Sequence, residues 1–154
     1  ATIGRTPDRS PNILTSLELK PEAMEQRNLA LQAKYRTIRD TEVRYEQLLT
    51  DDAEYVIVAF GSIARIAEKA VELARAEGVK VGLFRPITLW PFPERQIAAL
   101  TPKAKHFLVA EINAGQMVED VRLAVAGRAA VSHFGRLGGM VPDPEEIVDA
   151  LRDA

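Results

Sequence analysis

The chain has 154 residues and a formal net charge of −2, with 47% of its residues hydrophobic and 27% charged, enough for one domain with a real core and an ordinary globular composition. There is no basic excess to offer nucleic acid a face, and the absence of cysteine removes disulfides, thiolate zinc sites, iron–sulfur ligation and a cysteine nucleophile from this chain. No apolar run approaches the ~18–20 residues that span a bilayer, so no membrane partner is expected. The N-terminus lacks the apolar core of a signal peptide, which makes a cytoplasmic setting the expectation. A chain that opens on Ala1 reads as a processed or excised piece of something longer.

Residues 1–20 carry Pro7, Pro11 and several Ser and Thr around one short apolar patch, and read as a lead-in or linker. Residues 21–49 read as a helical segment. Pro21 suits the first helical position, and Glu22 and Glu25 suit the positive end of the helix. Met24, Leu31, Ile38 and Tyr45 recur every seven residues, with Tyr35 and Leu49 interleaved and Asn28 and Glu42 interrupting. The part after Asp40 has an alternative as a short strand, Val43–Leu48.

Residues 50–154 read as an α/β domain. Tyr55–Phe60 is an apolar, β-branched run followed at once by Gly61-Ser62 and a helical pattern. In that pattern Ile63, Ile66, Ala67, Ala70, Leu73 and Ala74 share a face, with Ser62 as N-cap and Gly78 just past the end. Val79–Phe84 is the next strand and ends in Arg85-Pro86. Ile87–Phe92 is apolar, and its Trp90 reads either as an exposed docking patch or as a core or interface anchor. A short helix runs from Pro93 to Leu100, a strand over His106–Ile112, a helix over about Gln116–Ala126 and a strand over Ala130–Phe134. Asp143 and Pro144 open the last helix. From Tyr55 the order is β-α-β-α-β-α-β-α. Strands that are apolar throughout are buried on both faces, and right-handed crossovers then place helices on both sides, giving a three-layer α/β/α domain.

In open sheets of this kind ligands and partners meet the C-terminal ends of the strands. Those ends carry Gly61, Ser62, Arg85, Glu111 and Asn113, which are therefore the rim candidates. A dinucleotide site is argued against, because the first turn has one glycine where the fingerprint needs three and the second strand ends in Arg85 instead of an acidic residue. The N–H groups at Ser62 can bind an anion, but a turn that simply starts a helix is the plainer reading. Glu111, at the end of a buried strand, lacks a visible catalytic partner and reads more plainly as a carboxylate bonding loop N–H groups or an arginine. His106 and His133 are isolated and read as core or edge histidines. No residue is marked as catalytic or as a metal ligand.

AKYRTIRDTEVRYEQLLTDDAEYVIVAFGSIARI, VGLFRPITLWPFPE, EINAGQMVEDVRLAVAGR and FGRLGGMVPDPEEI together resemble the alpha subunit of thiamine-diphosphate-dependent 2-oxoacid:ferredoxin oxidoreductases, of the 2-ketoisovalerate and 2-oxoglutarate types. The match corresponds to the C-terminal part of such a subunit, similar to the transketolase C-terminal domain and to domain II of pyruvate:ferredoxin oxidoreductases. The resemblance implies a mostly parallel sheet of about five strands with one antiparallel strand, for which Val43–Leu48 is the candidate. It implies oxidative decarboxylation of a 2-oxoacid to an acyl-CoA with ferredoxin as acceptor. Thiamine diphosphate, Mg²⁺ and iron–sulfur clusters would sit on other domains or subunits, with a thiamine-binding beta subunit and a ferredoxin-like subunit as partners and coenzyme A near the interface. The chain itself is then expected to be structural, and inactive alone. The alternatives are a stand-alone module that binds an anion or small ligand at the rim, and a scaffold that recruits a partner through its N-terminal helix.

Overall fold

The computed structural model describes residues 4, 6–13 and 17–154, in two units, Ala1–Thr37 and Ile38–Ala154. In the first unit residues 4, 6–13 and 17–20 form neither helix nor strand, and the rest of the expected lead-in lies outside the described residues. Helix α1 (Pro21–Thr41) opens on its proline, and none of its residues is buried.

The second unit holds β1 (Tyr45–Leu48), β2 (Tyr55–Ala59), α2 (Gly61–Ala76), β3 (Val81–Pro86), α3 (Glu94–Ala98), β4 (His106–Glu111), α4 (Met117–Val125), β5 (Ala130–Gly135) and α5 (Pro144–Arg152). The sheet order is β1-β3-β2-β4-β5. Strands β2, β3, β4 and β5 run parallel and β1 runs antiparallel along β3. One face of the sheet, with Ile57, Leu83 and Leu108, packs against α2 and α5. The other, with Val56, Val58, Phe84, Phe107 and Val109, packs against α3 and α4. This is the three-layer architecture that apolar strands demand. Every residue of β4 is buried, because both of its faces are covered and both of its edges are paired.

The helix expected over residues 21–49 stops at Thr41, and Tyr45–Leu48 is a strand. The reason is non-local: β1 pairs with β3 in the register Tyr45↔Pro86 to Leu48↔Leu83. The Tyr45 ring also stacks on Phe84 at 5.3 Å, a contact worth about 0.5–1.5 kcal/mol beyond burial.

Helix α2 begins one residue earlier than its expected N-cap. Phe60 is the N-cap, in extended conformation and without a side-chain cap bond, and Ser62 lies inside the first turn. The buried face of α2 is Ile63, Ala64, Ala67, Ala70, Val71 and Ala74. Ala64 and Val71 thus take the inward places expected for Ile66 and Leu73, which are half-buried at its flank. The helix ends as expected at Gly78, whose φ is +86°. Val79 N–H bonds Ala74 O at 3.1 Å and Gly78 N–H bonds Arg75 O at 2.9 Å, the two bonds of a Schellman cap. At α5 the Asp143 N–H donates to the Glu146 carboxylate at 2.9 Å.

Candidate functional site

All four parallel strands end at one rim. β1 contributes its first residues there because it runs the opposite way. Helix α2 leaves β2 toward one face of the sheet and α4 leaves β4 toward the other, so the topological switch point lies between the ends of β2 and β4. The rim candidates are distributed around this crevice.

Gly61 and Ser62 are exposed at the start of α2. Gly61 has φ +62°, a left-handed conformation that glycine adopts without strain and that turns the chain from strand into helix with no intervening loop. On the α2 face of the sheet, Arg85 binds Glu46 across the β1–β3 pair at 2.7 Å, with Glu46 and Arg85 directly opposite in register. Both line a cavity of about 260 Å³ between β1, β3 and α2, together with Arg65, Glu68 and the apolar Leu48, Ala64 and Leu83.

Glu111 is the last residue of β4 and is 0% exposed. Its carboxylate accepts N–H bonds from Gln116 (3.2 Å to either oxygen), Met117 (2.9 Å) and Val118 (3.0 Å). These are the N–H groups at the start of α4, which have no partner within the helix and sit at the positive end of its dipole. Asn113 donates its side-chain N–H to Glu111 Oε2 at 3.0 Å and accepts from Gly115 N–H at 2.7 Å. The structure therefore brings Glu111 and Asn113 together. Arg85 stands two strands away, on the far side of β2. The plainer expectation for Glu111, a carboxylate holding loop N–H groups, describes its surroundings.

His133 joins this group, a neighbour the sequence reading missed. Its Nε2 lies 3.8 Å from Glu111 Oε1 and is buried with no hydrogen-bond partner. Gly135 makes room for the ring: a Cβ there would stand 2.5 Å from His133 Cε1 and 3.0 Å from its Nε2. The signal lies in register, not in spacing along the chain. Glu111 pairs with Gly135 and Val109 with His133, so Glu111 and His133 are diagonal neighbours on one face. His106, at the opposite end of β4, shares a 2.7 Å hydrogen bond with the Ser132 hydroxyl, and burial pushes its imidazole down in pKa. On α4, burial pushes the Asp120 carboxyl up, and Glu94, Glu111 and Glu119 add to the effect.

The rim also gathers the exposed apolar side chains. In residues 38–154 every large exposed hydrophobic except Leu49 and Leu123 is at this end: Tyr45 on β1, Ile87, Leu89 and Trp90 after β3, Ile112 after β4, and Leu137, Met140 and Val141 after β5. Trp90, 53% exposed, is no core anchor. Among the described residues no three His, Asp or Glu side chains stand close enough together to hold a metal ion, and no helix is long and apolar enough to cross a membrane.

Comparison with known proteins places these features in context. Residues 53–147 match the family described as pyruvate:ferredoxin oxidoreductase core domain II. The ketoisovalerate oxidoreductase subunit VorB of Methanothermobacter thermautotrophicus is 44% identical over 142 residues, which is 92% of this chain and 40% of that protein. The 2-oxoglutarate synthase subunit KorA of Methanothermobacter marburgensis is 34% identical over 131 residues, 85% of this chain and 35% of its own. The solved 2-oxoglutarate:ferredoxin oxidoreductase from Magnetococcus marinus, with 2-oxoglutarate, coenzyme A and succinyl-CoA bound, superposes with a TM-score of 0.75 at 25% identity, over 88% of this chain and 24% of that one. A split-gene transketolase shares the fold, with a TM-score of 0.63 at 19% identity. The chain thus spans less than half the length of the relatives it matches.

Proposed function

The chain belongs to the pyruvate:ferredoxin oxidoreductase core domain II family, and from that premise we propose that it serves as the assembly domain of a 2-oxoacid:ferredoxin oxidoreductase subunit. The parent enzyme converts a 2-oxoacid to an acyl-CoA by oxidative decarboxylation and passes the electrons to ferredoxin. In this reading the domain docks through its strand-end rim against a thiamine-binding beta subunit and a ferredoxin-like subunit, in the cytoplasm, with coenzyme A approaching near the interface.

The observation that carries the reading is the composition of the rim. Its apolar side chains face outward, while the Glu111 carboxylate and Arg85 Nη1 are held by partners inside the chain. Contiguous apolar exposure at one end of a domain suits a protein partner.

The chain offers no thiolate for an iron–sulfur cluster, and its buried switch-point carboxylate is taken up by its own helix. Iron–sulfur clusters need thiolates and the chain has no cysteine. Thiamine diphosphate with Mg²⁺ needs oxygen ligands around the metal, and the carboxylate best placed at the switch point, Glu111, is buried under N–H groups of its own helix. We assign these groups to other domains or subunits, and Gly61, Ser62, Arg85, Glu111 and Asn113 to holding the rim in shape. The test is turnover of 2-oxoglutarate and 2-ketoisovalerate by the isolated chain with thiamine diphosphate, Mg²⁺, coenzyme A and a dye acceptor. No turnover is expected without the remaining subunits; turnover by the chain alone overturns the assignment.

A further inference from the structure

The loop between β3 and α3 is held rigidly from beneath while its largest apolar side chains point away from the core. Thr88 anchors it: the Arg44 N–H donates to Thr88 Oγ1 at 3.0 Å, the Thr88 hydroxyl donates to Pro91 O at 2.9 Å, and the N–H groups of Ile87 and Thr88 both bond Arg44 O. Pro91 and Pro93 are buried, and Phe92 packs against the core beneath α3 and α4. Between these anchors Ile87, Leu89 and Trp90 are each about half exposed, at 50%, 46% and 53%. Tyr45, opposite Pro86 in register, extends the patch onto the edge strand.

We propose that this loop is a preformed apolar knuckle that seats the domain on the rest of its own subunit, its occupant an apolar hollow on the portion of the parent subunit lying outside this chain. The inference rests on the assembly reading above and adds, for this part of the rim, a contact with the rest of the domain's own subunit. Two features favour it. Tryptophan is among the residues most enriched at interface hot spots, and a loop already fixed by hydrogen bonds and buried prolines loses little conformational freedom on docking. The occupant is argued from length. The chain accounts for 40% of the VorB relative and 24% of the Magnetococcus chain, so in both proteins more than half of the polypeptide lies beyond the matched domain.

Hydroxyl-radical footprinting of Trp90, the only tryptophan of the chain, tests this. Its peptide is compared by mass spectrometry between the 154-residue chain, at two concentrations tenfold apart, the full-length subunit without its partners, and the parent enzyme; protection that appears only in the enzyme assigns the knuckle to another subunit and overturns the proposal. Trp90 oxidation is expected to be at least tenfold slower in the full-length subunit and in the enzyme, and unchanged by dilution of the chain. Equal rates in chain and enzyme overturn the proposal. Protection that appears in the chain alone as its concentration rises assigns the knuckle to a second copy and equally overturns it. The double variant Leu89→Ser, Trp90→Ser in the full-length subunit is expected to weaken assembly at least tenfold while leaving the Tm of the 154-residue chain unchanged. An enzyme that assembles normally with Trp90 still labelled defeats the knuckle but not the assembly reading, whereas turnover by the chain alone defeats the assembly reading itself.

Discussion

Glu111 shows how a single buried carboxylate is made tolerable. Removing a charge from water without compensation costs far more than a domain can lose, yet Glu111 is wholly inside. It receives three N–H bonds from the start of α4 and one from Asn113, so the carboxylate occupies the anion position that a helix N-terminus offers at a switch point. The expected consequence is structural. Glu111→Gln keeps the size but turns an NH₂ toward N–H groups that need an acceptor, and is expected to cost about 2–3 kcal/mol. For a chain of this length that is a fall in Tm of roughly 5–10 °C. Thermal denaturation of the variant measures it, and a fall of less than about 1 °C would mean that water replaces the carboxylate at no cost. The sequence made Glu111 legible as a strand end that might bond loop N–H groups. Its partners were less legible, because three of them are backbone groups five to seven residues further on and the neighbouring His133 is set by strand register.

Among the elements, those whose own residues decide them were readable, and β1 was legible only as an alternative to the end of the helix, Val43–Leu48, and as the antiparallel strand that the resemblance implies. Helix α2 carries its stripe, its turn and its Schellman glycine locally, and β2 and β4 are apolar from end to end, so periodicity and punctuation suffice. The main error in α2, a rotation of the buried face toward Ala64 and Val71, arises because small and β-branched residues fit against the sheet where larger ones cannot. β1, Tyr-Glu-Gln-Leu, is exposed over its first three residues and continues the polar pattern of α1. Only its pairing with β3 makes it a strand. Gly82 in the middle of β3 was the available signal, since glycine inside a strand marks a close approach of other backbone. A Cβ there would stand 2.7 Å from Leu49 O and 3.0 Å from Thr50 Cα, where the chain leaves β1, with Leu49 at φ +54°. Gly82→Ala must therefore move backbone, and a loss of about 1–3 kcal/mol is expected. The loss should appear with faster amide exchange at Gln47 and Leu48 than at residues of β4. Unchanged exchange at β1 would show that the turn after it absorbs the methyl group without disturbing the pair.

At the scale of the whole α/β unit, residues 38–154, the two ends of the sheet differ in kind. At the end opposite the rim, charges are paired: Glu54 binds Lys105 and Lys80, Arg75 holds Asp52 at 2.6 Å together with the Leu49 and Val81 carbonyls, and Arg152 holds Glu77. The Lys105 and Lys80 ammonium groups keep the Glu54 carboxyl below its ordinary pKa, and Arg75 does the same for Asp52, a finish suited to water. The rim instead presents the loops after β3, β4 and β5 with their apolar side chains outward. Surface hydrophobics scattered at random need no explanation, but their concentration at one end does. If assembly is the cause, position should matter more than hydrophobicity. Leu137→Lys and Met140→Lys lie on the rim loop before α5, and Leu123→Lys lies on the outer face of α4, where the side chain is 75% exposed. All three replace exposed side chains, so each should shift stability by no more than about 0.5 kcal/mol. Only the two rim variants should reduce incorporation of the domain into the parent enzyme, read as the fraction co-eluting with the other subunits in size-exclusion chromatography. Equal incorporation of all three would separate the apolar rim from assembly.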